Sequence, residues 1–98
     1  MRDLNGKVAW ITGAGTGIGS GAAIALASAG MQVVLSGRRE EKLKEVAAAC
    51  NGNAHIEILD VANKDDVLAV VERIKTRLGR IDVMVASAGI NVKNRNWH

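Results

Sequence analysis

The chain contains no phenylalanine and no tyrosine, and its only large aromatic side chains are Trp10 and Trp97. A core built without them is aliphatic, and chemistry that needs a tyrosine proton donor has no source in this sequence. Cysteine is nearly absent as well. Cys50 stands alone, so an internal disulfide is excluded and nothing calls for an oxidising compartment. No apolar run approaches the roughly 20 residues that span a bilayer. Arg2, Asp3 and Lys7 surround the short apolar run Val8 to Ile11, which is too brief for the h-region of a secretion signal. The expectation is a cytoplasmic protein with no membrane partner.

Charge of one sign is not concentrated anywhere. The 13 basic and 10 acidic residues are interspersed and leave a formal net charge of +3, without the clustered patch that marks a nucleic-acid footprint. The remaining composition, 48% hydrophobic and 23% charged, is that of a globular chain rather than a disordered one. A chain of 98 residues forms one small domain that buries about two-thirds of its unfolded surface.

What the sequence does have is a dense glycine loop, Thr12-Gly13-Ala14-Gly15-Thr16-Gly17-Ile18-Gly19, between an apolar strand, Val8 to Ile11, and an alanine-rich helix, Ala22 to Ala29. The first turn of a helix leaves backbone N–H groups unpaired and its dipole favours an anion, so this position suits a phosphate. Spacing narrows the reading. The strict G-x-G-x-x-G fingerprint is absent, because its sixth position falls on Ile18, Ser20 or Ala22, and no Lys-Ser or Lys-Thr closes a P-loop. G-x-x-x-G-x-G fits Gly13, Gly17 and Gly19. The alternative is a flexible turn and no more.

Beyond the loop, Ala22, Ala25, Leu26 and Ala29 form the expected buried face of the first helix, which Gly30 stops. Met31 to Leu35 reads as a strand covered on both faces. Glu40 to Cys50 reads as a helix burying Leu43, Val46, Ala47 and Cys50, closed by Asn51-Gly52. Ala54 to Leu59 is a third strand. Asn63 is placed to cap the next helix, with Asp66 three residues on; that helix sets Val67, Val70, Val71, Ile74 and Leu78 on one stripe and ends at Gly79. Ile81 to Val85 is a fourth strand. The alternation implies an α/β fold: a Rossmann-like, doubly wound parallel sheet of four strands in the order 3-2-1-4 with three helices. Residues 1–90 form the half-domain and 91–98 a polar, basic, irregular tail.

In such a sheet the segments after the four strands share one crevice. Arg38 and Arg39 follow the second strand, with no acid before Glu40. A carboxylate there would accept from a ribose 2′-hydroxyl, whereas arginine pairs with a 2′-phosphate. The pair reads as a preference for NADP over NAD, and also as plain surface charge at a helix start. Asp60 reads either as an acceptor for an adenine amino group or as a residue that merely precedes the Asn63 cap. His55 and His98 have no third ligand nearby, so no metal site is expected. Asp82 belongs on the far rim with a structural role, and Ser87 lacks the base that a nucleophile needs.

These motifs together, with Leu4-x-Gly6-Lys7-Val8-Ala9 before the loop and Ala88-Gly89 after the fourth strand, resemble the short-chain dehydrogenase/reductase family from about Leu4 to Ile90. By that resemblance Gly13, Gly15, Thr16, Gly17, Ile18 and Gly19 hold the cofactor diphosphate and its neighbouring ribose. Arg38, with Arg39 close by, takes the 2′-phosphate. Asp60 and Val61 bracket the adenine, and Ser87, Ala88 and Gly89 pass beside the riboses.

Two departures accompany the likeness. The family's Asn-Asn-Ala-Gly is here Ala86-Ser87-Ala88-Gly89, and the chain ends nine residues after Gly89. The family's catalytic Asn, Ser and Tyr-x-x-x-Lys have no counterpart. In the family the tyrosine moves the proton of a hydroxyl or carbonyl substrate while the nicotinamide transfers hydride. The resemblance therefore implies the cofactor-binding portion of an NADP-dependent oxidoreductase, with no catalytic residues of its own and inactive alone. Two rival readings stand beside it. One is a non-enzymatic interaction module that pairs with itself or with a longer partner through an open fourth-strand edge. The other is a methyltransferase, against which the Arg38-Arg39 pair counts.

Overall fold

The computed structural model describes residues 4–15, 17–60 and 62–86. Seven elements alternate along the described chain: β1 (Val8–Thr12), α1 (Gly17–Ser28), β2 (Gln32–Gly37), α2 (Glu40–Ala48), β3 (Ala54–Ile58), α3 (Lys64–Leu78) and β4 (Val83–Ala86). The strands form one sheet in the order β3-β2-β1-β4, and every pairing is parallel. The topology is the one the alternation implies.

The sheet has one apolar cluster on each face, which explains why β1 is buried at every residue and reads as an unbroken apolar run. On one face Ala9, Ile11, Val33 and Leu35 pack with Ala23 and Ala27 of α1 and Leu43 and Val46 of α2. On the other, Val8, Trp10, Val34 and Leu59 pack with Val70 and Ile74 of α3. Residues two apart along a strand point to the same face, so the period-2 split of β1 between these clusters follows from strand geometry.

Helix α1 corrects the sequence reading. It begins at Gly17 rather than Ala22, and its buried residues are Gly19, Ala23 and Ala27, whereas Ala25 and Ala29 are exposed. Glycine propensity argues against helix here, at about 1 kcal/mol per residue. Burial overrides it, because the smallest residues, spaced four apart, form the stripe that lets the helix approach the sheet. Helix α2 stops at Ala48, two residues early, yet Cys50 remains fully buried in the turn beyond. Strand β2 runs from Gln32 to Gly37 rather than from Met31 to Leu35, and β3 ends one residue early, at Ile58.

Helix α3 follows its sequence signals closely. The Asn63 side chain accepts from the Asp66 N–H at 3.1 Å, and Val70 and Ile74 are buried with Val67, Val71 and Leu78 packed beside them. Gly79 closes the helix at φ +84° with its N–H on the Lys75 carbonyl, a left-handed conformation that favours glycine. Strand β4 starts at Val83 instead of Ile81. Just ahead of it, the Asp82 carboxylate accepts the Val8 N–H at 2.8 Å and the Asp82 N–H returns a bond to the Val8 carbonyl.

Candidate dinucleotide site

Because the strands are parallel, the glycine loop, the Arg38-Arg39 pair and Asp60 all leave the sheet at one rim. The loop is tied to β2 at its first residues. Gly13 N–H and Ala14 N–H both donate to the Ser36 carbonyl, at 2.9 and 3.1 Å, and Gly13 adopts φ +72°, a conformation that only glycine takes readily. The Ser36 hydroxyl is itself bonded to the Trp10 indole N–H at 2.9 Å, with both residues buried. Nothing in the sequence signals that Ser36 and Trp10 pair, since the contact depends on how β1 and β2 are set side by side.

Helix α1 starts at Gly17 with no acidic side chain in its first turn, so nothing there opposes an anion. A Cβ added at Gly17 would meet no atom within 4 Å. The space on that side is open to solvent. Ile18, next in the chain, is 79% exposed, an apolar side chain presented at the same mouth. Gly15 is exposed and Gly19 is buried.

Arg38 and Arg39 are both exposed, directly after β2. The Arg39 backbone caps α2, its carbonyl receiving Lys42 N–H and Leu43 N–H. Asp60 is half-buried, and its carboxylate accepts the Ala62 N–H at 3.0 Å while its carbonyl accepts the Asn63 N–H. One carboxylate oxygen thus serves the turn into α3. Thr16, Val61, Ser87, Ala88 and Gly89 lie outside the described residues.

The remaining titratable groups sit elsewhere. His55 Nε2 is 2.7 Å from Gln32 Oε1, and burial, followed by the charge of Arg77, holds its pKa below the ordinary histidine value. The Arg80 guanidinium, hydrogen-bonded to Asp82, and then the Val8 N–H hold the Asp82 carboxyl below the usual range. Burial pushes the Cys50 thiol up, away from reactivity. Among the described residues no three His, Cys, Asp or Glu side chains group as metal ligands, and no helix is long and apolar enough to cross a membrane.

A glycine loop bonded to the neighbouring strand, a helix start open to an anion and two exposed arginines fit a dinucleotide. Comparison with known proteins agrees, since residues 7–97 match the short chain dehydrogenase family. The chain belongs to that family. An uncharacterised oxidoreductase of Staphylococcus saprophyticus is 44% identical, aligned over 92% of this chain and 40% of its own length. A short-chain dehydrogenase/reductase from Mycobacterium marinum superposes with a TM-score of 0.83 at 42% identity, over 90% of this chain and 37% of the other. A 3-ketoacyl-(acyl-carrier-protein) reductase from Brucella melitensis, solved in complex with NADH, gives a TM-score of 0.77 at 37% identity, over 83% of this chain and 33% of the other. The short-chain dehydrogenase sequence described here spans about two-fifths of the length of the curated relatives it matches.

Proposed function

We propose that this chain is the dinucleotide-binding portion of an NADP-dependent short-chain oxidoreductase acting on a hydroxyl or carbonyl substrate. One observation carries the NADP preference. Arg38 and Arg39 stand exposed directly after β2 with no carboxylate before Glu40, which suits a 2′-phosphate and leaves no acid to accept from a 2′-hydroxyl. Gly13, Gly15, Thr16, Gly17, Ile18 and Gly19 would hold the diphosphate and neighbouring ribose. Asp60 and Val61 would flank the adenine, and Ser87, Ala88 and Gly89 would line the ribose path. The bound nicotinamide supplies hydride chemistry. This chain's part is to bind and orient it.

With no tyrosine in its 98 residues, the chain turns over no substrate by itself under this proposal. Titration with NADPH and NADH, followed by nucleotide fluorescence, tests the reading. The expected result is tighter binding of NADPH, with no oxidation of NADPH when a carbonyl substrate is added. Equal or tighter binding of NADH removes the NADP assignment, and carbonyl-dependent oxidation that is lost on Gly17→Ala removes the claim of inactivity.

A further inference from the structure

We infer that Lys42 is a third phosphate-recognising cation of this site and helps set the preference for a 2′-phosphorylated dinucleotide; the inference rests on the dinucleotide reading above. A Cβ built on Gly15 would stand 3.1 Å from Lys42 Cβ and 3.8 Å from Lys42 Cγ. The lysine stem therefore lies against the glycine loop, although the two residues belong to segments that follow different strands.

The placement is fixed from below. Leu43, the next residue, is buried in the core and lies under Gly37, where a Cβ would meet Leu43 Cδ2 at 3.5 Å. With Leu43 anchored, the first turn of α2 cannot rotate Lys42 away from the loop. Residues 38–45 hold four cations, Arg38, Arg39, Lys42 and Lys44, against Glu40, Glu41 and Glu45, and Glu40 is engaged with Lys44 at 3.6 Å. A lysine ammonium on a flexible stem suits a phosphate as a point charge, whereas the arginines offer planar forks. Gly15 leaves the room. A side chain there would press on the lysine stem.

The test uses two fragments, 2′,5′-ADP and 5′-AMP, titrated calorimetrically against the chain and its Lys42→Met and Lys42→Arg variants. Methionine keeps an unbranched stem on Gly15 and removes only the charge. The expected result is that the wild type prefers 2′,5′-ADP, that Lys42→Met reduces this preference about fivefold through 2′,5′-ADP alone, and that Lys42→Arg retains it. A preference unchanged in Lys42→Met overturns the role of Lys42 and leaves the dinucleotide reading standing. Equal weakening of both fragments, or a loss in Lys42→Arg as large as in Lys42→Met, makes the residue structural and overturns it too. A wild type without preference for the 2′-phosphate overturns the NADP reading itself.

Discussion

The Trp10 indole N–H donates to the Ser36 hydroxyl at 2.9 Å across a fully buried part of the sheet, and the carbonyl of the same serine receives the Gly13 and Ala14 N–H groups of the glycine loop. Trp10→Phe keeps an aromatic ring, though a smaller one, and strands the hydroxyl, and Ser36→Ala strands the indole. Each single change should cost about 1–3 kcal/mol, the penalty for a buried polar group left alone. The double variant should cost less than the sum. Urea denaturation followed by circular dichroism measures all three, and strict additivity would mean that the bond contributes nothing.

Gly17 and Gly13 should separate binding from folding. At Gly17 a methyl group meets nothing within 4 Å and sits in a helix, where alanine is the better residue. Gly17→Ala should therefore hold or raise the melting temperature while weakening NADPH binding at least about tenfold, because the methyl occupies space proposed for the ligand. Gly13→Ala, at φ +72°, should lower both. A Gly17→Ala chain with undiminished affinity would place the diphosphate elsewhere.

Glu57 of β3 is held by two residues of α3, Arg73 Nε at 2.8 Å and Arg77 Nη1 at 3.1 Å. The carboxylate is nearly buried, at 9% side-chain exposure, while the arginines are about half exposed, at 51% and 54%. Water therefore solvates the cations once the anion is gone. Glu57→Gln should cost about 1–2 kcal/mol, below the penalty for breaking a fully buried pair, and Arg73→Ala or Arg77→Ala less than about 1 kcal/mol each. Chemical denaturation midpoints give the comparison.

Acid should weaken the fold in two separable windows. The native pKa of His55 lies below 6.5, so as pH falls through that value the unfolded chain takes up the proton first and stability drops. Asp82 is lowered from 3.8; its contribution is present above that pH and is lost as pH falls through the lower native value. His55→Gln should flatten the upper limb of a stability-against-pH curve, and Asp82→Asn the lower. A curve whose upper limb survives His55→Gln would assign it to another group.

Periodicity carried the topology, because β1, β2 and β4 are built on apolar runs, β3 alternates apolar and polar residues, and α3 announces both its cap and its stripe. It failed at α1, where the residues that signal a loop, Gly17, Gly19 and Gly21, are helical. Propensity alone cannot show that close approach to the sheet selects Gly19, the buried residue of the three. At the site, the glycine spacing and the arginine pair were visible as local patterns. The Trp10–Ser36 bond and the approach of Lys42 to Gly15 were not, since both join segments that meet only when neighbouring strands align.

Strand β4 differs from its neighbours in the route by which it arrives. β1, β2 and β3 pair in sequence order, each joined to the next by one helix, whereas β4 must pass β3 and β2 to reach β1. Its loop closure is the longest in the described chain, and long closures form slowly. Val83 and Met84 remain 40% and 54% exposed, so little burial rewards its arrival. The β1-α1-β2-α2-β3 unit is therefore expected to assemble ahead of β4, so that the rim bearing the glycine loop and the arginines takes shape before the last strand docks, an order that pulsed hydrogen exchange would read.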